Sequence, residues 1–203
     1  VKQALNDEML KRTVALTSAN SISLGRLLPQ MIYYAYAALR HWREHRGTLN
    51  FVIPTGNLGN ALACLLARAM GMPIGDVTLA TNANRVLPDF LAGADYTPRA
   101  SIATLANAMD VGAPSNFERL CWLYPDAGEL RAALRADTVN DAEIRDVIRH
   151  GRGRYGVLAC PHTATALRVL ERLRDTGDSR DYAIVATAPP AKFYAVIEPL
   201  IGI

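Results

Sequence analysis

The spacing of apolar residues changes several times along the chain, and each change marks an element. Over residues 24–44, Leu27, Leu28, Met31, Ile32, Ala35 and Leu39 recur at helical intervals, and Ser23 stands where a helix N-cap would. Pro29 falls within the first two turns of that stretch, where a missing N–H costs least. Residues 49–53 form a short apolar run that ends in Pro54 and a glycine-containing turn; 60–70 then reads as a helix and 77–81 as a strand. Strands separated by helices predict a parallel sheet with right-handed crossovers. The expected fold class is therefore α/β, an open, mostly parallel sheet flanked by helices.

Strand signals thin out between residues 97 and 152, where helices are expected at 116–122, 128–135 and 142–150, a helical elaboration on the sheet domain. After Arg154 the α/β alternation returns. Residues 155–160 read as a short strand, 163–175 as a helix, 182–187 as a strand and 192–200 as a helix, with the polar DTGDSRD stretch at 175–181 as an exposed turn. The opening VKQALNDEML reads as an amphipathic helix already under way and lacks the pattern of a signal peptide, so the chain is expected to begin inside a larger protein.

Composition narrows the function classes. The chain has 203 residues, half of them apolar and a fifth charged, and no apolar run reaches the roughly 18–20 residues that span a bilayer. Its formal charge of +3 comes from many arginines and only three lysines (Lys2, Lys11, Lys192), with no basic block, so neither a membrane nor a nucleic-acid partner is expected. Cys64, Cys121 and Cys160 are too few and too scattered for a disulfide framework, which favours a reducing cytoplasm. No His/Cys/Asp/Glu clusters have metal-ligand spacing, and no Ser-His-Asp order is persuasive.

The most informative stretch is FVIPTGNLGN, residues 51–60, which sets Gly56 and Gly59 between a buried strand and the first turn of a helix. First-turn amides lack intrahelical partners and sit at the positive end of the helix dipole, so such a loop can cradle a phosphate. The alternative is a plain turn, with Asn57 and Asn60 capping the helix. Elsewhere, Ser115 and Glu118 have the spacing of a capping box, and His162, between Pro161 and a helix, is either a pocket-edge proton donor or a residue hydrogen-bonded at the helix entry. His41, His45 and His150 sit among charged residues and invite no chemistry, and Cys64 reads as a small core residue.

TGNLGN resembles the SGNFG loop of the threonine synthases, which in that fold type II family wraps the phosphate of pyridoxal phosphate. SANSISLGRLLPQ (18–30), LATNANRVLPDFLAGADY (79–96), TLANAMDVGAPSNFERL (104–120), CPHTA (160–164) and ATAPPAKF (186–193) are similar to further blocks of the same family, in the same order. The resemblance covers nearly the whole chain and points to the bacterial and fungal type, as the C-terminal portion of a larger catalytic domain. It implies a cytoplasmic pyridoxal-phosphate lyase that converts O-phospho-L-homoserine and water to L-threonine and phosphate. Carried over by position, Gly56, Asn57, Leu58, Gly59 and Asn60 would surround the cofactor phosphate and Thr187 would hydrogen-bond the pyridine nitrogen, while Lys192 and His162 would contact substrate.

Three positions depart from the family pattern: Leu58 replaces an aromatic residue, Cys160 an acidic one and Pro189 a histidine. The family's Schiff-base lysine, in an FKD-type motif, and its substrate-binding Ser/Gly/Asp/Thr segment have no counterpart here, so the expected partner is a missing N-terminal portion of the same protein. A chain without that portion would expose an apolar patch. The competing expectations are a non-catalytic phosphate-binding or pyridoxal-phosphate-binding module, and another fold type II lyase such as a hydroxy-amino-acid dehydratase.

Overall fold

Strand β1, Leu49–Pro54, is buried at every position, the pattern of a central strand covered on both faces. In the computed structural model, which describes residues 4, 6–16 and 20–202, it pairs in parallel with β2 (Ile74–Thr81) on one side and β4 (Tyr182–Ile184) on the other. Strand β3 (Arg135–Thr138) pairs in parallel with β2, giving the order β3-β2-β1-β4. The fold is thus the open parallel α/β sheet that the strand and helix alternation predicted. The opening residues of the expected amino-terminal helix, and Ser18 of the SANSI segment, lie outside the described residues; within them α1 spans Glu8–Thr13, capped by Asp7.

Alternate strand residues face two cores. Phe51, Ile53, Val77 and Leu79 pack on one side with Leu62, Leu65 and Phe117, whereas Val52 and Ala80 pack on the other with Ile144, Val147 and Val169. The first layer is built from α2 (Leu24–Leu27), α3 (Met31–His45), α4 (Gly59–Ala69), α5 (Val86–Leu91), α6 (Phe117–Leu123) and α7 (Ala127–Ala133). The second is built from α8 (Asp141–Tyr155), α9 (Pro161–Asp175) and α10 (Tyr194–Ile201).

Several boundaries differ from expectation for identifiable reasons. The stretch 24–44 is two helices: Ser23 makes no side-chain cap, and a 3-10 turn at Leu28–Gln30, with Pro29 inside it, separates α2 from α3. Leu27, Tyr34 and Ala38 keep one helical phase across that turn and are buried, while Leu28, Ile32 and Leu39 on the neighbouring face are exposed. Residues 156–160 form no strand, because Gly156 closes α8 in the left-handed conformation and Pro161 opens α9. Strand β3 lies inside the stretch expected to be helical. Its RADT sequence carries little strand signal, and pairing with β2 defines it.

The outward face of α2 and α3 presents Leu24, Leu28, Ile32, Tyr33, Tyr36 and Leu39, a contiguous apolar stripe at helical spacing. Ile32 and Tyr36 are each 67% exposed. The double replacement Ile32→Glu/Tyr36→Glu should therefore cost this fold under about 1 kcal/mol, the ordinary scale for surface changes. Thermal unfolding checks this. A loss of several degrees would mean that the stripe is buried by something within the chain.

Candidate functional site

A cavity of about 810 Å³ opens at the carboxyl ends of β1 and β4, where open α/β sheets bind ligands. Its walls are the loop 55–58 with the first turn of α4, the stretch 183–187 that continues β4, Arg26 and Gln30 at the α2–α3 junction with Tyr33 and Tyr34 on α3, and Ala108, Met109 and His162. Every residue of the TGNLGN loop lines it, and so does Thr187. Adjacent parallel strands thus bring together two segments far apart in sequence.

The loop leaves the sheet with the Thr55 N–H donating to the Ala80 carbonyl at 2.8 Å. Gly56 then passes hard against a second segment: a Cβ built there would lie 2.7 Å from Met109 Cα, inside any real contact. Both loop glycines keep ordinary φ, and the residue in the left-handed region is Leu58 (φ 64°, ψ −4°), with its side chain buried. An L-residue holds that conformation at a cost of about 1–3 kcal/mol and only where its surroundings enforce it. Leu58 is the N-cap of α4, and the first i→i−4 bond runs from the Leu62 N–H to the Leu58 carbonyl (2.8 Å). The Gly59, Asn60 and Ala61 amides precede that bond, in the position that suits an anion.

Neither Asn57 nor Asn60 caps α4. Asn57 is a buckle: its Nδ2 donates to Ser21 Oγ (2.6 Å), its Oδ1 accepts from the Ser115 N–H (2.5 Å), and its carbonyl accepts from Asn116 Nδ2 (2.8 Å). Asn116 is fully buried and also donates to the Ser21 carbonyl at 3.1 Å. Its role explains the failure of the Ser115–Glu118 capping box. Asn116 is the N-cap of α6, Glu118 is exposed, and the Ser115 N–H is spent on the loop. A complete capping box occurs instead at Asn140 and Glu143, opening α8. The Asn60 side-chain Oδ1 accepts from the Tyr34 hydroxyl, so what the Asn60 side chain can offer the cavity is its amide N–H₂. Burial pushes the Tyr34 phenol well above its ordinary value and keeps it a neutral donor.

His162 lines the cavity, but its ring is already engaged: Nε2 accepts from the Ala108 N–H at 3.2 Å, and Nδ1 lies 4.0 Å from the buried Cys160 Sγ. Lys192 sits exposed in a 3-10 turn at Pro190–Phe193, away from the cavity lining. Arg26, to which the sequence assigned no role, lies on the cavity wall. The signal for it was available, since Arg26 and Gln30 lie one helical turn apart in the SLGRLLPQ segment. Ser21 and Asn116, also without assigned roles, are the loop's anchors.

No protein-family model matches the chain. It is 36% identical over 206 residues to threonine synthase of Haemophilus influenzae, an alignment covering 100% of this chain and 47% of that protein. Among solved structures, the crystal structure of Escherichia coli threonine synthase superposes with a TM-score of 0.88 at 37% identity, over 99% of this chain and 46% of that one. The pyridoxal-phosphate-bound threonine synthase from Brucella melitensis gives a TM-score of 0.87 at 29% identity, over 100% and 48%. Structures at 12–14% identity with TM-scores of 0.55–0.56, amino-acid racemases among them, share the fold alone, that of fold type II pyridoxal-phosphate enzymes. The chain spans about half the length of the curated relatives it matches. From end to end, it is homologous to threonine synthase over that half.

Proposed function

We propose that this chain is the cofactor-cradling C-terminal portion of a threonine synthase, which as a whole converts O-phospho-L-homoserine and water to L-threonine and phosphate. The observation that carries the reading is the convergence on one cavity of the TGNLGN loop, with open first-turn amides, and Thr187, three residues beyond the end of the neighbouring strand. The residues fit pyridoxal phosphate. Gly56 keeps the loop flush against Met109, the first-turn amides suit a dianion, and Thr187 supplies a hydroxyl for a ring nitrogen.

In this reading the backbone of residues 56–60 and the Asn60 side-chain amide hold the phosphate, while Asn57 holds the loop and not the ligand. Thr187, a neutral hydroxyl, can accept or donate at the ring nitrogen without forcing a proton onto it. Arg26 gives the same cavity a fixed cation for an anionic substrate group. When bound, pyridoxal phosphate supplies the electron sink for proton removal next to the amino group. The lysine that would join the cofactor covalently belongs to the part of the relatives that this chain does not span. That part is also the proposed cover of the apolar stripe on α2 and α3.

Incubation with pyridoxal phosphate, borohydride reduction and peptide mapping test the reading. The 203-residue chain should show no stoichiometric lysyl adduct, and the same polypeptide extended to include an FKD-type segment should show one on that lysine. A stoichiometric adduct on Lys192, which is exposed and away from the cavity lining, would overturn the assignment.

A further inference from the structure

Cys160 is buried at the N-cap of α9, two residues before His162, and its sulfur takes no part in the cofactor cradle described above. Its neighbours are specific. Sγ lies 3.4 Å from Thr163 Oγ1 and 4.0 Å from His162 Nδ1, and the imidazole lies against the Phe193 ring, with centroids 5.0 Å apart at 60°. Because Nε2 accepts from the Ala108 N–H, a neutral His162 ring must carry its proton on Nδ1, the nitrogen that faces the sulfur. Ala108 belongs to the 3-10 turn Asn107–Met109, and that turn is the surface against which Gly56 is pressed.

We propose that Cys160 is a positioning residue: its sulfur accepts the Nδ1 proton of His162, fixes the tautomer whose Nε2 receives the Ala108 N–H, and so holds the 107–109 turn beneath the anion loop. The sulfur suits the role electronically. Burial pushes the thiol up, but hydrogen bonds from His162 and Thr163 outweigh that and bring it down to about 7, so sulfur near neutral pH has substantial acceptor character. Both ends of the turn are held independently, by Asn82 Nδ2 donating to Asp110 Oδ1 (2.7 Å) and to the Ala106 carbonyl (3.3 Å). Loss of the sulfur therefore loosens the middle of the turn, at the Ala108 amide, and leaves its flanks anchored. The last link, from turn to anion affinity, rests on the cofactor-cradle reading.

The test compares the unaltered protein with Cys160→Ala and Cys160→Ser, the latter retaining an acceptor should the former fold poorly. Long-range proton–nitrogen correlation NMR of His162 should show the Nδ1–H tautomer in the unaltered protein and in Cys160→Ser, and a mixture in Cys160→Ala. Hydrogen exchange of the Ala108 amide should quicken about tenfold in Cys160→Ala, the scale of one lost hydrogen bond. Affinity for deoxypyridoxine phosphate, which has the ring and phosphate but no aldehyde, should fall by a similar factor and recover in Cys160→Ser. An unchanged tautomer and unchanged Ala108 exchange in Cys160→Ala would overturn the proposal. A changed tautomer with unchanged affinity would overturn the link to the loop. If the unaltered protein does not bind deoxypyridoxine phosphate, the cradle reading fails, and the NMR still decides the positioning role.

Discussion

Gly56→Ala should weaken deoxypyridoxine phosphate binding at least about 100-fold, equivalent to roughly 2.7 kcal/mol, whereas Gly59→Ala should weaken it less than about tenfold. Both changes add one methyl group to the same loop, and geometry separates them. At position 56 the new Cβ meets Met109 Cα at 2.7 Å, with the Ala108 carbonyl oxygen at 3.2 Å, and both are backbone atoms that no rotamer change can move. Relief requires the loop and the 107–109 turn to part, which costs about 1–3 kcal/mol as overpacking and moves the amides that would face the phosphate. At position 59 the nearest atom is the Ser21 carbonyl oxygen at 3.3 Å, a contact that yields with a shift of a few tenths of an ångström. Calorimetric titration of both variants is the check. Equal losses would show that the loop is not held by its packing on Met109, and the account of the cradle would fall.

How much of this was legible in the sequence follows from how local each cause is. The cradle's frame could be read because the run FVIP, the glycines and the following helix are determined within a dozen residues, and β1, β2 and α4 lie where their apolar patterns put them. The backbone device inside it could not. Nothing in the letters TGNLGN says that the left-handed residue is Leu58 and not a glycine, because that conformation is imposed by Ser21, Ser115 and Asn116, which reach in from two other segments. The same distinction explains β3. Arg135–Thr138 has one apolar residue and becomes a strand through its pairing with β2 and through Arg172 of α9, which bonds Asp137 at 2.6 Å and the Thr138 carbonyl at 2.9 Å. Periodicity located the helix 24–44 and misjudged its buried face, because apolar residues cover two adjacent faces and spacing alone does not say which of them packs on the sheet.

The second large effect is expected at a residue that, in this account, touches no ligand. Asn57→Ala should lower deoxypyridoxine phosphate affinity by about 10- to 100-fold while costing only about 1–2 kcal/mol of stability. The side chain makes two hydrogen bonds, to Ser21 Oγ and from the Ser115 N–H; Ser115 is exposed and Ser21 half-buried, so water can replace both partners and the stability loss stays small. What water cannot replace is the constraint on the next residue. Leu58 holds φ 64° against a cost of about 1–3 kcal/mol, comparable to the roughly 1 kcal/mol each that the two lost bonds supply. With the buckle gone, Leu58 can relax to negative φ and swing the first-turn amides out of the cradle. Leu58→Gly separates this cause from simple loosening. Glycine accepts positive φ without strain, so the double variant Asn57→Ala/Leu58→Gly should bind more tightly than Asn57→Ala, even though losing the buried leucine side chain costs about 2–5 kcal/mol of stability. Affinity and unfolding free energy must therefore move in opposite directions between the single and the double variant. If they fall together, Leu58 strain does not govern the loop, and Asn57 acts only by packing.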